Sequence, residues 1–338
     1  MIQVREIEDR KLWDDFIKTR KPHSFLHLWE WGTVQEILKQ KILRLGIYDG
    51  NRLVGVALLI EIGSRRGKFF FCPHGPLLDW NQPALLSELV AAIKKEARLR
   101  RMDFLRFSPL EKKSELRQRQ LRELGFRPAP MHMHAEMVWL LSFDQDESKL
   151  LADMRKSTRQ AIAKAQKAGV IVRSSSDIHD LELFERLYSD TARRQQFVPF
   201  SEEYLQAEFT IFSSADKARV YSAEYQGRVV SGALILYTDT EAFYHQGASL
   251  PDQATFGASH LLQWTIIRDA RLRGCTFYNF WGVVPPEKHD HPWSGLSLFK
   301  RGFGGFSEEY THAHDLPLRF RYWGAWAVES LRRMKRRL

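Results

Sequence analysis

Two pairs of alternate histidines, His289 with His291 and His312 with His314, have the residue type and spacing that metal ligation would use. Neither pair has a third ligand at a fixed interval, so they read as solvated loop residues and no metal is expected. The cysteines, Cys72 and Cys275, lie far apart without a CxxC partner, and both are expected to be buried apolar residues. A CoA-dependent acyl transfer would need a turn of the form Q/R-x-x-G-x-G/A, whose backbone amides at a helix N-terminus hold pyrophosphate. The nearest stretch, Gln253-Ala-Thr-Phe-Gly257-Ala258, carries its glycine one residue late, and DWNQPALL from Asp79 has no glycine at all. Bulky side chains keep a phosphate off the backbone, so no cofactor is expected. Nucleophile elbows, Walker loops, HExxH helices and EF-hand loops are all missing from the sequence.

The stretch richest in candidates runs from Tyr278 to Tyr310, where a strand YNFWG gives way to VVPPEKHDHPWSGLSLFKRGFGGFSEEY. Gly302, Gly304 and Gly305 permit a tight bend directly after Phe299 and Lys300. The elements around it belong to a repeat: Tyr48, Gly50 and Gly55 in YDGNRLVG recur as Tyr225, Gly227 and Gly232 in YQGRVVSG. Each copy predicts a hairpin ending in an apolar strand, VGVALLIEI or VSGALILYT. Aromatic strands follow, Phe69 to Cys72 and Ala242 to Tyr244, each closing on a glycine, Gly75 or Gly247. Apolar periodicity then predicts helices over 85–98 and 261–272, and strands from Asp103 and Thr276. Hairpin, strand, helix, strand, twice over, resembles the core order of the GNAT fold, and that resemblance implies an α+β (α/β) class with two tandem GNAT-like domains. Each would be a mixed, mostly antiparallel sheet flanked by helices.

The expected division is 1–145 and 146–316, with a closing helix over 317–338 folding back on the first domain. Ser148 to Gly169 reads as one amphipathic helix opening the second domain, Ser148 being its N-cap and Gly169 its C-cap. The 338 residues are 44% hydrophobic, enough for two cores, and carry a formal charge of +10. That excess favours polyanionic partners. It concentrates in Lys149 to Arg173 and in the tail, where Arg319, Arg321, Arg332, Arg333, Lys335, Arg336 and Arg337 face Glu329 alone. There is no apolar run long enough to span a bilayer and no signal-peptide pattern at the start, so a cytoplasmic protein is expected.

Four stretches in order resemble the Fem family of peptidoglycan aminoacyltransferases (FemABX): FLHLWEWG from Phe25, FCPHGPLLDW from Phe71, MRKSTRQAIAKAQKAGVIV from Met154, and the closing G-L-x-x-F-K-x-G-F-G-G. The likeness spans residues near 25 to near 310 and is to the members without a coiled-coil arm. It implies transfer of an amino acid from aminoacyl-tRNA, as co-substrate, to an amine of a UDP-linked or lipid-linked muropeptide precursor. By the same resemblance Lys300 is the catalytic cation, and Arg194, or its neighbour Arg193, grips the precursor pyrophosphate. Tyr244, Phe299, Trp31, Gln35 and Asn279 then fall where substrate contacts are expected. Three positions depart from the family's pattern. Gln35 replaces a phosphate-binding lysine, while Ser108 and Asn279 replace acidic residues, which removes two candidate bases and points to substrate-assisted or water-mediated proton transfer.

Two other readings stand beside this one. The first is an acyl-CoA-dependent N-acyltransferase acting on a small amine. The second is a non-catalytic module binding nucleic acid or the inner face of the plasma membrane through the basic, Trp-containing tail. A peripheral membrane contact is also compatible with the main reading.

Overall fold

The computed structural model describes residues 1–64, 67–251 and 256–336. Of the sequence features singled out above, Gln253, Ala254, Thr255 and Arg337 lie outside the described residues.

The chain forms two compact units, one of residues 1–136 with 309–338, the other of residues 137–308. In the first unit the strands are β1 (Ile2–Glu6), β2 (Ile42–Asp49), β3 (Arg52–Ser64), β4 (Gly67–His74), β5 (Leu77–Leu78), β6 (Phe104–Pro109) and β7 (Arg127–Pro128). Those of the second are β8 (Met137–Ser142), β9 (Ile171–Ser175), β10 (Ala218–Tyr225), β11 (Arg228–Tyr237), β12 (Glu241–Ser249), β13 (Phe277–Gly282) and β14 (Phe306–Glu309). β15 (His314–Pro317) returns to the first sheet. The helices are α1 (Arg10–Lys18), α2 (Trp29–Ile37), α3 (Pro83–Leu99), α4 (Glu115–Glu123), α5 (Glu147–Asp153), α6 (Lys156–Lys167), α7 (Ile178–Gln195), α8 (Glu202–Ser214), α9 (Ala258–Leu272), α10 (Ser294–Arg301) and α11 (Tyr322–Arg336).

The sheet orders are β1-β2-β3-β4-β6-β15-β7 and, read from its far edge, β9-β10-β11-β12-β13-β8-β14. Position by position the two orders correspond, the first sheet carrying β5 besides, paired with β3, and each has a parallel pair at the same place, β4 with β6 or β12 with β13. The repeat extends to an irregularity: Val54 in β2/β3 and Val230 in β10/β11 are skipped at the same point of each hairpin. Tandem GNAT-like halves are therefore present.

The sixth place in each sheet is filled by exchange. β8, within the stretch expected to close the first domain, lies in the second sheet against β13, and β15 lies in the first against β6. The units consequently divide at 136/137 and 308/309 rather than at 145/146 and 316/317.

Each sheet packs on a helix of matching period. In α3 the buried Leu86, Leu89, Val90 and Ile93 recur at three- and four-residue spacing over the first sheet, and in α9 Leu262, Ile266, Ile267 and Ala270 do so over the second. Each buried leucine, isoleucine or valine among them contributes roughly 1.5–3 kcal/mol.

The single helix expected over 148–169 is two. Met154 and Arg155 are extended, Met154 is buried, and the Arg159 guanidinium donates to the carbonyls of Ala152 and Met154, satisfying the end of α5. Asp146 rather than Ser148 caps α5, accepting from the Lys149 amide at 2.8 Å. The strand expected to close at Gly247 runs through it to Ser249. His314 is a buried strand residue, and His312 sits between Glu136 (2.7 Å) and the Ala129 carbonyl (2.8 Å), so this pair is structural and not loop solvation. Cys72 and Cys275 are buried free thiols.

Candidate active site in the second unit

In the first unit the parallel strands stay paired from Phe69 opposite Phe104 to His74 opposite Pro109. The equivalent strands of the second unit pair only where Glu241, Ala242 and Phe243 face Phe277, Tyr278 and Asn279, although β12 runs on to Ser249 and β13 to Gly282. They part because each is deflected. On β12 the register with β11 jumps from Tyr244 to Gln246, so His245 is bulged. On β13 Trp281 takes φ 62°, a conformation costly for a bulky residue, and the Asn279 side-chain oxygen holds it by accepting the Trp281 amide at 2.9 Å. Strands that separate free backbone groups and side chains for a ligand.

Helix α10 delivers Lys300 between them. Its ammonium donates to the Gly282 carbonyl at 2.6 Å and lies 5.8 Å from the centre of the Tyr244 ring, so it meets both strands. The Ser297 hydroxyl accepts the Val284 amide at 3.0 Å and ties the helix to the chain leaving β13. Beyond Lys300 the chain turns through Gly304 and Gly305 with φ of 83° and 93°, and a Cβ on Gly305 would stand 2.2 Å from the Leu140 carbonyl oxygen. Only glycine meets both demands.

Lys300 is 4% exposed. Burial, with no carboxylate beside it among the described residues, brings its ammonium down to about 7. Burial also pushes the Tyr244 phenol up to about 12, which keeps it a neutral donor, and its hydroxyl fills the space that a side chain at residue 247 would need. Phe299 packs edge-on against Phe303 (5.3 Å) and His260 (4.9 Å). A cation of adjustable charge, a phenol and two separated strands can stabilise a developing oxyanion or pass a proton near neutrality.

Asn279 stands apart from this group. Strand alternation puts it on the other face of β13 from Tyr278, where its amide nitrogen donates to Glu241 at 3.1 Å. Glu241 is an acid that no motif or spacing singles out, and burial pushes it up to about 7. The same face carries Glu208 of α8, fully buried, with its carboxylate 3.1 Å from His245 Nε2. No spacing in the sequence joins Glu208 to His245; only the α8 packing does. Arg194, in the last turn of α7, is exposed and donates to the carbonyl of Ser249, at the end of β12, at 2.5 Å.

The match to known proteins is as extensive as the fold. The FemAB family model covers residues 9–226 and 214–329. The chain belongs to the FemAB family. Among curated relatives of this FemAB chain, the lipid II:glycine glycyltransferase of Staphylococcus epidermidis is 21% identical, with 90% of each chain covered. That of Staphylococcus aureus is 20% identical over the same shares. Among solved structures, FemX superposes with a TM-score of 0.84 at 18% identity, covering 97% of this chain and 100% of that one. A tandem GNAT protein from the clavulanic acid biosynthesis pathway superposes at 0.60 with 12% identity, over 94% and 99%.

Two expected contacts of the FemAB chain lie in the first unit, on α2. Trp31 is buried, edge-on to Phe25 (5.6 Å) and His134 (6.5 Å), and Gln35 is buried one turn further on. Ser24 and the neutral imidazoles of His27 and His74 pack close by, Ser24 Oγ lying 2.8 Å from His74 Nδ1. Burial takes His27 down to about 4 and holds His74 well below the usual imidazole range.

Proposed function

We propose that the chain joins an amino acid carried as its tRNA ester to an amine of a peptidoglycan precursor, with Lys300 at the reacting carbonyl. The transferase class and the cell-wall setting come from FemAB membership and from relatives named as glycyltransferases. The observation that supports this site is the Lys300 ammonium, lodged between two parted strands and poised near neutrality.

An aminoacyl ester is already activated, so the protein's task is alignment and charge. The amine nitrogen bonds to the carbonyl carbon and the carbonyl pair moves onto oxygen. Lys300, with Tyr244 beside it, donates toward that oxyanion. Collapse breaks the ester carbon–oxygen bond, and the nitrogen's proton leaves to the departing ribose oxygen or to water. Arg194 supplies a forked donor for the pyrophosphate of a UDP-linked or lipid-linked precursor. Phe299, Trp31 and Gln35 are the remaining substrate contacts of this reading.

The test is to incubate the protein with charged tRNAs and purified precursors and weigh the products. A precursor heavier by one amino-acid residue, formed only when the tRNA is charged, is expected. A precursor modified from acetyl-CoA and untouched by charged tRNA would overturn the reading.

A further inference from the structure

The closing helix has two apolar faces, and only one of them is used. Tyr322 and Ala325 are buried against Phe69, Phe71 and Phe104, and half-buried Glu329 continues that side one turn on. The opposite side carries Trp323, Ala327, Leu331 and Met334 at spacings of four, four and three residues, one continuous stripe on an α-helix. Phe320 extends it from the turn that leads in. These are not grazing exposures: Phe320 is 88%, Leu331 62% and Met334 67% exposed. A surface helix normally turns such residues inward.

This helix is held against rolling over. The buried Arg106 guanidinium donates to both oxygens of Asp315, at 2.6 and 2.8 Å, and to Glu329 at 2.8 Å. Glu329 is the one acid of the tail, and it is turned inward into this ion cluster. The outward side is left purely cationic along its borders. Exposed Arg321 lies beyond one edge of the stripe, and exposed Arg332 and Arg333 lie between the stripe and the inward side, Arg332 lining a cavity with Arg106 and Glu329, while the Arg127 guanidinium covers the Trp323 ring at 4.4 Å. Trp326 and Val328, both partly exposed, sit at the boundaries between stripe and charge.

We propose that the outward face of α11 docks on an anionic lipid bilayer, lying in the plane of the surface with the stripe among the acyl chains and the arginines at the headgroups. A protein partner would present shaped pockets and compensating acids. The helix favours a bilayer because aromatic and aliphatic side chains form one unbroken strip bordered by arginine, the pattern of an interfacial helix. Docking of this kind is reversible and needs no membrane-crossing segment, and no helix among the described residues is long and apolar enough to be one. The inference stands on the helix itself and does not rest on the proposed donor or acceptor.

The experiment is flotation of the full chain with vesicles of phosphatidylcholine alone and of phosphatidylcholine mixed with phosphatidylglycerol. The wild type is expected to float with the mixed vesicles, less so with neutral ones, and progressively less as salt is added. Leu331→Glu/Met334→Glu places two acids in the stripe at exposed positions; it should leave the melting temperature unchanged and reduce the bound fraction at least about tenfold. Equal flotation of wild type and double variant would overturn the proposal. So would light scattering that shows a dimer dissolved by the same substitutions while the wild type ignores vesicles, because the stripe would then be covered by a second copy.

Discussion

The Lys300 ammonium sits 2.6 Å from the Gly282 carbonyl oxygen, at the last residue of a strand that has already left its parallel neighbour. The helix carrying the lysine and the strand carrying the carbonyl come from opposite ends of the loop 283–293, so the contact closes that loop upon the gap. Its chemical consequence is a cation held by one neutral acceptor in an apolar setting.

Such a cation costs stability while it is charged. In the unfolded chain Lys300 titrates at the ordinary lysine value of about 10.5, and in the fold at about 7. Below the folded value both states bind the proton and the penalty is fully present; between 7 and 10.5 the unfolded state binds more protons, so stability rises with pH. Lys300→Met should therefore be more stable than wild type by on the order of 4 kcal/mol at or below neutral pH, the gap closing as pH climbs toward 10. Urea denaturation of both proteins across that range measures it.

Asn279→Asp should be destabilising although it restores the acid seen at this place in the family resemblance. It would set a second carboxylate beside Glu241 and remove the 3.1 Å donor that Glu241 now accepts. A loss of roughly 2 kcal/mol at neutral pH is expected, shrinking under mildly acidic conditions as the pair takes up a proton. Denaturant midpoints at two pH values test this. A rise in transfer rate in the same variant would instead recast residue 279 as a base.

Arg106→Met should loosen the closing helix. Asp315 would stay fully buried without its guanidinium, a situation that costs about 3–5 kcal/mol. Hydrogen exchange should show protection lost in residues 322–334 ahead of the second unit. Uniform loss across both units would contradict a local latch.

Gly305→Ala tests the bend behind Lys300. The substitution forces an L-residue to φ 93° with its Cβ 2.2 Å from the Leu140 oxygen. Transfer should fall at least about tenfold while the melting temperature of the first unit is kept, since a displaced α10 misplaces the cation.

Local chemistry was legible in the sequence and exchange between distant segments was not. The two hairpins declared themselves through Gly50 and Gly227, because a turn is decided by the residues within it. The strand exchange that fills each sheet could not be read, since nothing within MVWLLS or HDLP names the sheet it joins and only pairing with β13 or β6 assigns them. The break after Asp153 was hidden for a similar reason: Ser148 to Gly169 is helical in period throughout, and the interruption depends on Arg159 reaching the carbonyls of Ala152 and Met154. At the site, sequence pointed to Lys300 as a residue type, but its burial, its nearness to Tyr244 and the Glu208–His245 pair are products of packing. Asn279, expected at the substrate, also donates to Glu241 and accepts the Trp281 amide, contacts that no spacing in the sequence announces.

Single-turnover transfer from charged tRNA to precursor, followed from pH 6 to 9 for wild type and Lys300→Met, tests the role of Lys300 most directly. The ratio of the two rates should be large below about pH 7 and decline above it, as the wild-type ammonium loses its proton while the variant has none to lose. Equal rates at every pH, with both proteins folded, would contradict the account.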